Sequence, residues 1–328
     1  MHKLRLRKSG PEAAWLRCLY ETRQTSAWTE ERNEASTYDR GGGRRGVIVS
    51  RVLLVGESWF HYSVEVKGFD SYTHGGYEVG TEWLATALAQ GGHDFVHLPS
   101  HLVATEWPHD LNAFDLVLLS DVGENTLLLT PETFTKGERR ANPLVVIVDY
   151  VRAGGAFGMI GGYLSFGGFD GRAHYASSPI EAVLPVVILP FDDRVELPEG
   201  TDPIIDLAGH PALGGATTLG PLLGYNRLTP RTDAKVVARC GNDPLLVVWT
   251  CGNGRAFAYA SDCGPHWAAP LYLASSDYAR LWNGIVAWAT NERAASCGRH
   301  DRTDAKRLQH AAPSRRRELQ RIAHRVQR

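Results

Sequence analysis

Between residues 47 and 291 the apolar positions come in short runs that switch between two periods. "RVLLVGES" is a continuous apolar run closed by Gly56 and predicts a buried strand over 51–56. "EVGTEWLATALAQGG" places Val79, Trp83, Leu84, Ala87 and Leu88 on one helical face and stops at Gly91–Gly92. "DFVHLP" reads as a strand, and "AFDLVLLSDV" as a stronger one centred on 115–119. "NPLVVIVDYVRAGG" opens with Asn142–Pro143 and closes with Gly154–Gly155, and these ends favour a helix despite the β-branched content. "AFGMIGG" is the next buried strand.

After 168 the pattern loosens. Residues 169–235 are rich in Pro and Gly and predict short strands and loops over the sheet. "PLLVVWTCGNGRAFAYASD" predicts two strands joined by a Gly-Asn-Gly turn. "SSDYARLWNGIVAWATN" closes the pattern with a helix, Ser276 as its cap and Tyr278, Leu281, Trp282, Ile285 and Trp288 on one side. Strands alternating with helices in this order imply an α/β domain whose parallel sheet is covered on both faces.

The net charge of −1 hides a partition. Residues 1–46 carry 10 basic and 6 acidic side chains, residues 292–328 carry 11 and 4, and the middle carries 14 and 26. An acidic body between two basic ends argues against a nucleic-acid-binding domain, because a phosphate backbone demands a basic face. Residues 1–46 show no sustained apolar period and are expected to be a disordered extension. Residues 292–328 are expected to be a disordered tail or a short basic helix after Pro313, with Arg315, Arg316 and Arg317 solvated. No apolar run approaches the roughly 20 residues that span a bilayer, and the basic N-terminus lacks the apolar stretch of a signal peptide. The expected location is the cytoplasm. Five widely spaced cysteines, Cys18, Cys240, Cys251, Cys263 and Cys297, read as reduced thiols.

Ligands of parallel α/β sheets sit beyond the carboxyl ends of the strands. Polar residues gather there: Glu57, Ser58 and Trp59 after the first strand, and Asp121, Asn125 and Thr126 after "DLVLLS". Gly161, Gly162 and Tyr163 follow "AFGMI", and Ser261, Asp262, Cys263 and His266 follow "RAFAYA". Strand ends also carry polar residues and glycines simply because the chain turns there. Glu57, Asp121, Asp262 and His266 are the candidate catalytic groups, with the carboxylates as hydrogen-bond acceptors or general bases. Ser58, Trp59, Asn125, Gly161, Gly162 and Tyr163 are candidate ligand contacts, Trp59 and Tyr163 by stacking. Asp192, Asp193 and Arg194 stand between Pro190 and Pro198, where a salt-bridged surface turn competes with a role in the site. His93, His97 and His101 share a metal-like spacing, but on a strand and loop rather than a helix, so no metal is expected. "VGES" and "GMIGGY" both lack the glycine pattern of a dinucleotide turn, so no cofactor is expected. Cys263 near His266 could pair a thiol with a base, against the plainer reading of a buried Cys beside a solvated His.

"VLLVGESW", "LLSDVGENTLLL", "GGAFGMIGGYLSFGG" and "LPFDDRVELPEG" resemble, in order, the glutamine amidotransferase-like family, related to class I glutamine amidotransferases and to ThuA-like domains. The resemblance spans about 47–291. It implies a flavodoxin-like, three-layer α/β/α fold with a mostly parallel central sheet and the active-site turn after a central strand, and it favours a site role for Asp192 and Arg194. A working class I turn resembles G-x-C-x-G, a strained elbow at a helix N-terminus that stabilises a thiolate and aims N–H groups at an oxyanion. Here Gly158, Ile160 and Gly162 hold those places, and "SDCGPHW" stands where the His-x-Glu base would be. Two functions follow as expectations. One is small-molecule binding or catalysis without glutaminase activity, on a carbohydrate-like ligand. The other is a non-enzymatic scaffold or subunit interface, and a homo-oligomer is compatible with either.

Overall fold

Continuous apolar runs bounded by glycine become the centre of one sheet. The computed structural model describes residues 49–300, with side chains through 290; the expectations for 1–46 and for the tail beyond 300 lie outside the described residues. The first half of the chain supplies β1 (Arg51–Gly56), β2 (Ser58–Lys67), β3 (Asp70–Val79), β4 (Asp94–Leu98), β5 (Leu116–Ser120) and β6 (Ala156–Ile160). The second half supplies β7 (Val186–Val187), β8 (Arg194–Thr201), β9 (Ile204–Ile205), β10 (Leu222–Asn226), β11 (Thr229–Pro230), β12 (Lys235–Cys240), β13 (Asp243–Cys251) and β14 (Gly254–Tyr259). Among the described residues the three longest helices are α1 (Glu82–Gln90), α2 (Pro143–Arg152) and α3 (Ser276–His300).

The main sheet runs β4-β1-β5-β6-β14-β13-β12-β9. Its first five strands are mutually parallel and β13, β12 and β9 extend them antiparallel. Numbered along the chain, the parallel strands lie in the order 2-1-3-4-5, which is the flavodoxin-like order. The connection from β1 to β4 carries α1 and the one from β5 to β6 carries α2. Right-handed crossovers that travel in opposite directions along a sheet leave their helices on opposite faces. α3 joins α1, where Asn283 Nδ2 donates to the Ala87 carbonyl at 2.9 Å. Leu53, Leu54, Phe157 and Phe257 are fully buried between the layers; each such side chain contributes about 1.5–3 kcal/mol of burial.

Three expectations are corrected. Val79 does not belong to the face of α1; it ends β3 and is exposed, because the chain is still extended there. The cap of α3 is Ser275 rather than Ser276, its Oγ accepting from the Tyr278 N–H at 3.2 Å. Ser58 and Trp59, placed as residues that simply follow the first strand, instead begin a long antiparallel hairpin over residues 58–79 that, among the described residues, pairs only with itself. α3 buries Tyr278, Leu281, Trp282 and Ile285, and Trp288 packs partly buried beside them. Among the described residues no helix is long and apolar enough to cross a membrane.

Candidate functional site at the β1/β5 switch point

β1 and β5 are neighbours whose chains leave the sheet in opposite directions, so a crevice opens beyond their carboxyl ends. Gly56 and Ser120 are in register there. Gly56 has φ 107°, and a Cβ on it would lie 2.0 Å from the Ser120 carbonyl oxygen, so no side chain fits. The next residues, Glu57 (φ 48°) and Asp121 (φ 44°), both take the left-handed region that glycine favours. Glu57 is 2% exposed, and its Oε2 accepts from Ser120 Oγ at 2.5 Å. The Gly80 N–H, returning from the hairpin, donates to the Glu57 carbonyl at 3.0 Å. A Cβ on Gly80 would stand 2.4 Å from Glu57 Oε1, so the wall on that side is bare backbone.

The loop after β14 supplies the opposite wall. β6 and β5 separate β14 from β1, so this loop must cross both strand ends to reach Glu57. It does: one donor atom each of Glu57, Asp262 and Cys263 lie within 4.8 Å of one another. Asp262 is 4% exposed; its Oδ1 accepts from the Gly264 N–H at 3.0 Å and its Oδ2 lies 3.5 Å from His266 Nδ1. His266 forms the mouth, with 42% of its side chain exposed. Asp121 Oδ1 accepts from the Leu164 N–H at 2.7 Å.

Burial pushes the Glu57 carboxyl well above the usual carboxylate range, and the charges of Asp262 and Asp121 add to it. Asp121 is raised as well, by burial first and then by Asp262, against the Leu164 hydrogen bond and the His266 charge. Burial pulls His266 down, but the hydrogen bond and charge of Asp262, with Glu196 and Asp121, outweigh it and leave the imidazole raised. Burial, then Glu57 and Asp262, push the Cys263 thiol far up, so it is no thiolate nucleophile. The Glu57, Asp262 and Cys263 donors could approach a metal, but Glu57 and Cys263 hold their protons tightly, and binding would have to displace both. The arrangement suits proton exchange: a neutral acid at the bottom, a carboxylate above it and an imidazole at the mouth.

The turn after β6 differs from the expected elbow. Ile160 is fully buried, the last residue of its strand, and has no left-handed φ. No α-helix begins between 161 and 269. The Gly161 N–H donates to the carbonyls of Tyr259 (2.8 Å) and Ser261 (3.0 Å), and the Gly162 N–H to Asn226 Oδ1 (3.0 Å). These N–H groups serve the fold, which corrects the expectation that Gly161 and Gly162 offer them to a ligand. Asn226 Nδ2 donates to Asp193 Oδ1 at 2.8 Å, and Asp193 also accepts from the Gly167 and Gly168 N–H groups at 2.8 and 2.9 Å. Asp193 is therefore the buried post of this turn.

The remaining predicted residues divide. The Tyr163 ring stands edge-on to His266, centroids 4.4 Å apart, and Arg194 lies over it at 4.6 Å. Its hydroxyl is taken by Glu196 and Arg194. Asp192 is held low by a bidentate fork from Arg194, at 3.0 and 2.8 Å. Asp192 and Arg194 thus buttress Tyr163 from the rim. Ser58 is buried and accepts from the Ser100 N–H at 2.8 Å, so it ties the hairpin to the body. Trp59 lies on the exposed hairpin, paired with Glu78, and Asn125 is exposed on the short helix Glu124–Leu128. The three histidines part: His93 Nδ1 accepts from the Ser50 N–H, His97 Nε2 bonds the Gly56 carbonyl, and His101 packs against Phe60 and Tyr77. Ser120, Gly80 and Asn226 were not singled out in the sequence. Ser120 ends an apolar strand run beside Asp121, which is the signal that could have found it.

A 2-1-3-4-5 parallel sheet with carboxylates at its switch point makes this a flavodoxin-like α/β domain. Residues 51–291 match the family model described as "Putative glutamine amidotransferase", and the chain belongs to that family. Among solved structures it is similar to the cytoplasmic protein STM3548 of Salmonella typhimurium, at 40% identity and TM-score 0.70, covering 73% of this chain and 98% of that one. The cytoplasmic protein STM1381 of Salmonella typhimurium LT2 is similar at 39% identity and TM-score 0.70, covering 73% and 99%. A ThuA-like protein of Parabacteroides merdae matches at 11% identity and TM-score 0.44, over 74% and 90%. No curated protein matches the chain.

Proposed function

We propose that this domain binds a small hydroxylated molecule, of carbohydrate type, in the β1/β5 crevice and performs acid–base chemistry on it, without glutaminase activity. The observation that carries this reading is the convergence of Glu57, Asp121, Asp262 and His266, from three strand ends, on one place. A protonated Glu57 can donate to a hydroxyl or leaving oxygen while Asp121 or Asp262 accepts. Tyr163 offers an aromatic edge beside the mouth. Ile160 offers no nucleophile, Cys263 is a neutral thiol, and the N–H groups of Gly161 and Gly162 are already spent. Class I glutaminase chemistry has neither its nucleophile nor its oxyanion donors here. The names of the Salmonella relatives support a cytoplasmic setting.

The test is a thermal-shift screen with hexoses, disaccharides and polyols, since a ligand bound only by the folded state raises its melting temperature. A shift in wild type that Glu57→Gln abolishes supports the reading. Glutamate release from glutamine by the purified protein would overturn its negative half. A scaffold reading is favoured by one observation. The 163–180 segment is packed down, with Phe166, Ala173 and Tyr175 fully buried and Tyr175 OH donating to the Val122 carbonyl at 2.6 Å. It closes the β5/β6 side of the crevice, and a screen without any hit decides for the scaffold.

A further inference from the structure

The imidazole at the mouth of the crevice stands on a loop and is partly exposed. Its contact to Asp262 runs from Nδ1 to Oδ2 at 3.5 Å, the outer edge of a hydrogen bond, and does not by itself set the plane of the ring. Two neighbouring rings do. The Trp267 indole is stacked on His266, with centroids 5.1 Å and planes 20° apart, and Tyr163 meets it edge-on at 4.4 Å and 80°.

Both rings lead to one carboxylate. The Trp267 Nε1–H donates to Glu196 Oε2 at 3.0 Å, and the Tyr163 hydroxyl is bonded to Glu196 as well. The strands prepare this meeting. β8 and β10 form a two-stranded sheet apart from the main one, and Glu196 and Gly224 are partners in its register. A Cβ on Gly224 would lie 2.3 Å from Trp267 Nε1, so the indole rests where only glycine leaves room. The Leu223 N–H donates to the Trp267 carbonyl at 2.6 Å, and Leu222 bridges Ala268. The backbone of the loop is thus tied to β10 and its indole to β8. Trp267 is fully buried, and a buried indole N–H without an acceptor is costly, so the ring goes where Glu196 holds it. Tyr163 has further supports in Arg194, at 4.6 Å, and in Phe169, stacked at 5.7 Å. Trp267 is therefore the ring for which the acceptor counts most.

We propose that Glu196 is a positioning residue of the crevice: it fixes Trp267 and Tyr163, and these hold the His266 imidazole with Nδ1 facing Asp262. The use of this device rests on the acid–base reading of the crevice. A neutral ring held in this way carries its proton on Nδ1, against the carboxylate, and leaves Nε2 as the nitrogen for proton exchange. Glu196 acts through the two rings rather than on a ligand.

The test is side-chain NMR of His266 in the full chain without added ligand. Among the 13 histidines, its signals are those that His266→Gln removes. In wild type the ring protons should carry the ring-current shift of stacking on an indole. Above its titration the ring nitrogens should show the Nδ1–H tautomer. Glu196→Ala and Glu196→Leu both remove the acceptor, the second without opening space, and should lose the ring-current shift and mix the tautomers. The Glu196 side chain is 47% exposed, so both variants should fold. Glu196→Gln keeps an acceptor for the indole and should retain both signals. All three variants remove the same charge, so the contrast between them reads position and not electrostatics. His266 signals that stay unchanged in the Ala and Leu variants, even with a lowered melting temperature, overturn the proposal. An equal loss in the Gln variant overturns it too, because the charge would then be the cause. The expected contrast together with a sugar screen that finds no ligand sinks the acid–base reading and leaves the positioning role standing.

Discussion

Two strand ends lie side by side in this sheet and have been built for different purposes. After β6, where a class I amidotransferase keeps its nucleophile, the chain holds a buried isoleucine and a turn whose glycine N–H groups at 161, 162, 167 and 168 face inward, to Tyr259, Ser261, Asn226 and Asp193. After β1 and β5 the chain holds two carboxylates in left-handed backbone, one of them almost wholly withdrawn from water. The glycine N–H groups of the first end are all spent on the fold, which makes it rigid. The second gathers carboxyl groups in a dry place, which raises the pKa of Glu57 and of Asp121. Under the proposed function, the chemistry occupies the strand ends beside the retained turn.

The largest expected effect comes from breaking the structural side. Asp193→Ala strands the Gly167 and Gly168 N–H groups and the Asn226 amide, and should cost about 3–5 kcal/mol in urea unfolding. A loss below about 1 kcal/mol would show that the turn holds without its post. Glu57→Gln should do the opposite. The folded pKa of Glu57 is raised, so its contribution is whole below the ordinary carboxylate range and is lost as pH rises through the folded value. The Gln variant should therefore gain on wild type as pH rises above the ordinary carboxylate range, and equal slopes in the two proteins would contradict the raised pKa.

Ile160→Cys sharpens the contrast by restoring the residue type without the elbow. It should cost about 1–2 kcal/mol through lost packing, leave the new thiol unreactive to iodoacetamide in the native state, and release no glutamate. Rapid alkylation at 160 would mean that the turn opens. The smallest effect is a titration. Asp262→Asn removes the main partner that raises His266, so the imidazole should titrate at lower pH in a histidine NMR experiment. An unmoved His266 would break the link between the mouth and the floor of the site.

Much of this was legible in the chain because burial leaves a plain mark. The apolar runs at 51–56, 116–120 and 156–160 and the capped helix at 143–152 are all where their patterns put them. The hairpin was not read, although "SWFHYSVEVKGFDSYTHGGYEV" alternates with period two, because only its first two residues were taken, as ligand contacts beyond a strand end. That error carried Trp59 into the site. Glu57, Asp121, Asp262 and His266 were legible as strand-end polar residues. Their mutual distances were not, since the 261–267 loop crosses two strands to reach Glu57 and no local pattern records such a crossing. Gly161 and Gly162 misled for a related reason: glycine announces close approach but not what approaches, and here it is the Ala260 carbonyl and Asp121.

The left-handed backbone at Glu57 and Asp121 also sets what selection for heat resistance would do to this protein. Each non-glycine residue in that conformation costs about 1 kcal/mol or more, and glycine or asparagine would relieve it. A library sorted for melting temperature alone should therefore discard these two carboxylates early, gaining robustness while emptying the crevice. Under the proposed function, their presence in the chain is a trade of stability for use.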